Sequence, residues 1–269
     1  MEAIATILQG LPKVESKSWD DYVIDQIARE NETPGNLTGY DCDQCLNRGY
    51  FAILKDGCRA VRACMCVSIR QSLKRLDKSG IASLAKRYTF DAYITAEPWQ
   101  CRIKEKAVRF SDAPEEKCLL LLGATGAGKT HLATAATVKL IMQGLPAMYV
   151  IWPEVSKKLK ASITDAEIYE KELQQLRTIE VLYIDDLFKI KAGSQPTAAD
   201  VSLAFEIFNG RYNSRLTTLV SSEFTAGELI EIDEATAGRL IEWAGEYTTN
   251  IERDTAKNYR LKQPTGKEQ

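Results

Sequence analysis

The chain has 269 residues, 45% of them hydrophobic and 27% charged, which allows one large domain or two smaller ones and excludes wholesale disorder. The formal net charge is −2; residues 1–100 hold 13 basic and 13 acidic side chains and the remainder 22 and 24. Neither part is a basic tail or an acidic arm, so any contact with nucleic acid comes from a local surface, not a global field.

The longest apolar runs, residues 118–123 and 147–152, fall far short of the roughly 20 residues that span a bilayer. The first residues carry no basic n-region and turn acidic quickly, so they do not read as a secretory signal. Seven cysteines, an odd number, argue against a disulfide framework and for reduced thiols, some of them on metal. A cytoplasmic protein without a membrane partner is the expectation.

In chain order, residues 1–30 read as a weakly amphipathic helix, followed by a loop at 31–36. Five cysteines then cluster between Cys42 and Cys66. Cys42-x-x-Cys45 and Cys64-x-Cys66 have the paired-thiolate spacing of a tetrahedral zinc site. The segment between them is hairpin-like, with Asp56-Gly57 as the turn, and a hairpin brings its two ends together. The same geometry excludes Cys58, which follows the turn about 20 Å from Cys64 along an extended strand. Cys42, Cys45, Cys64 and Cys66 are therefore the expected Zn²⁺ ligands. Four thiolates leave no open position, so the metal is structural. Cys58, Cys101 and Cys118 remain free thiols.

Residues 67–85 read as helical with a break at Gly80. From Tyr88 the texture alternates between strand and helix. Strands are expected at 118–122, 147–152, 180–185, 217–222 and 247–252. Helices are expected at 128–143, 153–178, 198–215 and 233–245, with a short closing segment at 257–262. This alternation defines an α/β fold, a parallel sheet with helices on both faces.

Gly123-Ala124-Thr125-Gly126-Ala127-Gly128-Lys129-Thr130 fits the phosphate-loop pattern G-x-x-x-x-G-K-[ST], between a strand and a helix. Glycines let backbone N–H groups face phosphate oxygens, and the helix N-terminus adds its dipole. Lys129 reaches the outer phosphates, and the Thr130 hydroxyl binds Mg²⁺. His131 follows in the first helical turn, as a packing or supporting residue of the loop and not as a base. Val181–Asp185 carries a buried strand to its C-terminal end, where Asp185 and Asp186 emerge beside the loop. One carboxylate should hold the Mg²⁺ shell and the other should orient and deprotonate the attacking water.

Residues 70–87 carry six basic side chains and one acid, as a solvated helix face or as a contact to nucleic acid or a partner. The charged segment 153–178 should project from the strand-end face near the nucleotide. It is a surface helix pair or a site for single-stranded DNA or the next subunit.

Together these stretches resemble the DnaC/DnaI-type helicase loaders of bacteria and phages, within the IstB-like AAA+ ATPases. The resemblance rests on residues 119–136, on VLYIDDL, on residues 205–225 and on residues 233–247 with the closing KNYRLK. The cysteine segment followed by residues 78–100 resembles phage- and prophage-encoded members. The resemblance implies an AAA+ core of five parallel strands with a reduced or absent lid. It implies that Thr130 and Asp185 serve Mg²⁺ and that Asp186 is the catalytic acid position. It matches Arg239 to an arginine finger acting in trans and Arg260 to the sensor-two arginine. Glu223 departs from the asparagine that many AAA+ proteins place at the end of strand four.

The implied organisation is a zinc-containing helicase-binding domain at 1–85 and an ATPase domain at 86–269. The implied partners are a hexameric DnaB-type helicase, single-stranded DNA and further copies of the chain, and single subunits should bind DNA weakly. Two other readings stay open. One is a transposition helper ATPase acting on duplex DNA and a transposase. The other is a nucleotide-binding scaffold or inhibitor with little turnover.

Overall fold

The computed structural model describes residues 18–113, 118–190 and 195–261. The start of the helix expected over 1–30 and the last residue of the closing segment, Lys262, lie outside the described residues. The chain divides into two compact units between Val67 and Ser68, earlier than the 85/86 boundary expected above.

In the first unit, α1 (Trp19–Glu32) starts at a reciprocal capping box. The Asp21 N–H donates to Ser18 Oγ at 3.1 Å and the Ser18 N–H to Asp21 Oδ2 at 3.2 Å. The helix runs two residues, Asn31 and Glu32, into the expected loop. Strands β1 (Tyr50–Lys55) and β2 (Cys58–Ala63) pair antiparallel, Lys55 opposite Cys58 and Tyr50 opposite Ala63. The turn between them needs two left-handed residues, and Asp56 (φ 53°) and Gly57 (φ 73°) supply them.

Helix α2 (Cys66–Lys78) and α3 (Ala82–Arg87) are separated at Gly80, whose φ of +75° ends the first helix where expected. The second unit is built on β3 (Cys118–Gly123), β4 (Ala147–Ile151), β5 (Val181–Asp185), β6 (Thr218–Ser222) and β7 (Thr248–Ile251). All pairings are parallel and the spatial order is β4-β5-β6-β3-β7. The inner strands β3, β5 and β6 are buried along their whole length, which is why their sequences are near-continuous apolar runs.

Alternate residues of these strands face opposite sides. Leu120, Leu122, Leu182, Ile184 and Val220 join one core with α6 (Trp152–Ala161), α7 (Ala166–Thr178), α8 (Ala198–Asn213) and α10 (Glu234–Ala244). Helix α5 (Lys129–Met142) covers the other side, with Thr134, Thr137 and Val138 near Tyr149 and Tyr183. Helices thus lie on both faces, as expected.

Segment 153–178 forms a helix pair, one of the two readings given above, but lies against the sheet where projection was expected. It is two helices, Trp152 already belongs to the first, and Leu159, Leu173 and Leu176 are buried in the core. The pair packs on the sheet and does not project, because these leucines form one apolar stripe within a charged sequence. Two of its four lysines are also engaged, Lys158 with Glu172 at 2.7 Å and Lys160 with Asp200 at 2.6 Å.

Two helices had no counterpart in the sequence reading, α4 (Pro98–Asp112) and α9 (Ala226–Ile232). Both carry start signals: Pro98 in the first turn with the Glu97 N–H donating to Gln100 Oε1 at 2.7 Å, and the Thr225/Glu228 capping box. Beyond β7, the described residues hold one 3₁₀ turn, Thr255–Lys257, and a further turn through Leu261.

Candidate nucleotide site and thiolate cluster

The phosphate loop leaves the buried end of β3 and re-enters a helix at Lys129. Three of its residues, Gly123, Gly126 and Gly128, have φ of +94°, +73° and +85°. Space confirms that these positions demand glycine. A Cβ at Gly123 would lie 2.0 Å from the Ile251 carbonyl oxygen, and one at Gly128 would lie 2.5 Å from the Tyr93 ring.

Lys129 is buried, and its ammonium donates to the carbonyls of Gly123 and Ala124, both at 2.8 Å. Burial pulls its pKa down to about 8, opposed by the carboxylates of Glu223, Asp186 and Asp185. Thr130 Oγ1 donates to Asp185 Oδ1 at 3.1 Å, and Tyr149 donates its hydroxyl proton to Asp185 Oδ2 at 3.2 Å. The Ser221 hydroxyl also donates to Asp185, and its oxygen accepts from the Asp186 N–H at 3.2 Å.

Asp186 sits in the left-handed region at φ 58°, which turns its carboxylate out of the strand toward the cleft. Burial pushes the Asp186 pKa up, while its hydrogen bond from Lys189 Nζ at 2.9 Å works the other way. Lys189 also pairs with Glu223 at 3.3 Å.

These groups open into a cleft of about 260 Å³. Gly126, Gly128, Lys129 and Thr130 form its floor, Asp186, Lys189 and Glu223 one side, and Tyr88, Tyr93 and Ile94 another. Arg260 reaches the cleft. Arg239 is not among its lining residues; its guanidinium donates to the Ala235 carbonyl at 3.0 Å and lies 5.0 Å from the Phe205 ring centroid. His131 packs as expected. Its ring stacks on Tyr88 with centroids 4.7 Å apart, and Nε2 lies 2.7 Å from the Thr89 carbonyl oxygen.

The sequence reading missed Tyr149, Ser221 as an Asp185 partner, Lys189 and the aromatic wall. Only Ser221 had a signal, its place at the end of a strand beside the two carboxylates. The cleft is suited to a polyphosphate with an apolar group at its aromatic end. Thr130 and Asp185 put two hard oxygens beside the loop, the donor type that Mg²⁺ selects.

In the first unit, Cys42, Cys45, Cys64 and Cys66 are all buried and bring their sulfurs within 4.8 Å of one another. The Cys42–Cys64 and Cys45–Cys66 separations are 3.7 and 3.5 Å. Sulfurs at the corners of a tetrahedron around zinc would stand ~3.8 Å apart for a Zn–S bond of ~2.3 Å. Burial pushes the Cys45 thiol up, but the Gly49 N–H at 3.3 Å and the neighbouring thiols outweigh it and hold the pKa at about 7. Cys58 is exposed, as the hairpin register requires.

A parallel sheet in this order, with a phosphate loop after one central-sheet strand and paired carboxylates after another, defines a P-loop nucleotide-binding protein. The chain belongs to the IstB-like ATP binding protein family, whose profile matches residues 71–236, and with it to the AAA+ P-loop ATPases.

Phage-like element PBSX protein XkdC of Bacillus subtilis (strain 168) is 28% identical over 250 residues, covering 86% of this chain and 92% of XkdC. The replicative helicase loader DnaI of the same strain is 30% identical over 142 residues, covering 49% of this chain and 44% of DnaI. Among solved structures, the DnaC helicase loader superposes with a TM-score of 0.52 at 22% identity, over 62% of this chain and 97% of that one, a likeness of fold. Among the described residues no helix is long and apolar enough to cross a membrane.

Proposed function

We propose that the protein is an ATP-dependent loader that binds a hexameric DnaB-type helicase and delivers it onto single-stranded DNA in replication. Residues 1–85 would form the helicase-binding domain and residues 86–269 the ATPase domain. The observation that carries this reading is the pairing of a nucleotide cleft with a separate four-thiol unit in one chain. The likeness to loader proteins supports it, and a transposition helper has no evident use for that unit.

In this reading residues 123–131 wrap the phosphates, with loop N–H groups and the Lys129 ammonium on their oxygens. Asp185, fixed by Thr130, Tyr149 and Ser221, and Thr130 would hold Mg²⁺, which when bound supplies charge neutralisation between the outer phosphates. Asp186 would orient and deprotonate the attacking water, a task that its raised pKa suits. Arg260 would read the outer phosphates from its own subunit, and Arg239 would serve a neighbouring subunit in trans. Cys42, Cys45, Cys64 and Cys66 would hold zinc, which when bound locks the hairpin ends together. ATP binding would favour the assembled state, and hydrolysis would release helicase.

The test is co-purification of the full chain with the replicative helicase of its host. Lys129→Ala should abolish binding of a fluorescent ATP analogue. Cys42→Ser with Cys64→Ser should remove zinc and helicase association while nucleotide binding persists. Undiminished helicase capture by that double variant would refute the domain assignment.

A further inference from the structure

The sheet has an edge strand remote in sequence from the phosphate loop. Among the described residues strand β7 pairs only with β3, which leaves its outer side without a neighbouring strand. Beside it lies a cleft of about 370 Å³, formed by α4, β7 and the 3₁₀ turn that follows.

Three cations line this cleft, Arg102 and Lys106 from α4 and Lys257 from the turn. Arg102 and Lys106 are four residues apart, so both lie on one face of the helix. Arg102 makes no ion pair or hydrogen bond among the described residues. Lys106 Nζ donates to the Thr248 carbonyl at 2.8 Å and keeps further protons for another acceptor. Among the described residues Lys257 has only a loose contact to Glu252, at 3.7 Å, and that carboxylate is 88% exposed.

Trp99 supplies a half-buried aromatic surface to the same cleft. Thr249, only 7% exposed, lines it as well, and its buried hydroxyl finds no hydrogen-bond partner, nor does that of Thr248.

We propose that this cleft takes single-stranded DNA, with Arg102, Lys106 and Lys257 on phosphate oxygens and Trp99 against an unstacked base. The proposal rests on the reading above that the ATPase acts on single-stranded DNA. Cations tracking a backbone together with an aromatic ring for bases are the means by which single strands are held. A duplex keeps its bases stacked and would leave the ring unused. In the segments singled out from sequence, part of the charge is already engaged. The insert lysines Lys158 and Lys160 are paired with acids, Arg70 is buried, and Arg75 donates to the Ala147 carbonyl at 2.9 Å.

The test uses the full chain and a labelled 20-mer of deoxythymidine, with anisotropy read across a salt series. Arg102→Ala with Lys257→Ala should weaken binding tenfold or more and lower the slope of log affinity against log salt by about 1.4. Trp99→Ala should cost about tenfold. Trp99→Phe should keep affinity but remove most of the tryptophan quenching that the 20-mer causes. ATP-analogue binding and the melting midpoint should stay as in the wild type.

Unchanged affinity and slope in the double variant would overturn the proposal. So would full quenching in Trp99→Phe, the deciding arm if the double variant melts early. Equal binding of a duplex of the same length, or altered sedimentation with unchanged oligonucleotide affinity, would also overturn it, the latter marking a contact with a second copy. Helicase co-purification is read in parallel. Its loss in the wild type would strike the loader reading and leave this cleft standing.

Discussion

Replacing Arg211 with methionine should destabilise the ATPase unit by about 3 kcal/mol. Arg211 lies on α8, is completely buried, and has no carboxylate partner among the described residues. Its guanidinium instead donates to the carbonyls of Thr217 (2.6 Å), Ile179 (2.7 Å) and Leu176 (2.9 Å), and to Thr218 Oγ1 (2.8 Å). These bonds tie the C-terminal end of α7 to the start of β6.

Methionine fills much of the same volume and donates nothing. The Thr217 carbonyl keeps the Leu182 N–H at 3.1 Å, but those of Leu176 and Ile179 lose their donor, which costs roughly 2–6 kcal/mol. Part of this is offset because a buried cation is removed; burial already pulls the Arg211 pKa down to about 9. A net loss near 3 kcal/mol should lower the melting midpoint by roughly 6–12 °C. Urea unfolding followed by tryptophan fluorescence is the assay, since Trp152 and Trp243 both sit in this unit's core. Arg211→Lys should fall between the two, because one nitrogen cannot reach three carbonyls. A loss below about 1 kcal/mol in the methionine variant, or wild-type stability in the lysine variant, would refute the reasoning.

Other predictions follow from the site and the first unit. Asp186→Asn should keep ATP-analogue affinity within a few-fold while steady-state phosphate release falls about a hundredfold or more. Gly128→Ala should abolish nucleotide binding, since the φ of +85° and the Tyr93 ring leave no room for a Cβ, and equilibrium binding with the analogue reads this directly. The Arg59 guanidinium holds the Glu30 pKa at about 2, below its usual 4.5. A lowered carboxylate pKa adds stability above the unfolded value that is lost as pH falls toward the folded one. Glu30→Gln should therefore remove part of the acid dependence between pH 4.5 and 2, as followed by circular dichroism.

Much of the site is local in sequence. The phosphate loop needs glycine where φ is positive, and residues 123–130 write that requirement down directly. The four cysteines follow from the Asp56-Gly57 turn, because a two-residue hairpin fixes where its ends meet. Helices α4 and α9 escaped the sequence reading because their apolar stripes are thin and their evidence lies in caps. The projecting insert was misjudged for the opposite reason. Its many charges masked Leu159, Leu173 and Leu176, whose burial depends on the sheet beneath them.

Composition and net charge excluded a global field and left seven cysteines to be assigned; hairpin geometry singled out four of them. The sequence by itself determined the nucleotide loop, the paired carboxylates, the parallel sheet and the thiolate set, since each follows from short-range backbone rules. Only the tertiary structure decided what surrounds them. It brought Tyr149 and Ser221 to Asp185, Tyr93 to the phosphate loop, and Arg211 to three carbonyls from separate elements. It also aligned Arg102, Lys106, Lys257 and Trp99 along an open sheet edge. Such groupings depend on which strands become neighbours, and the order of strands in a sheet is set by packing across the whole core.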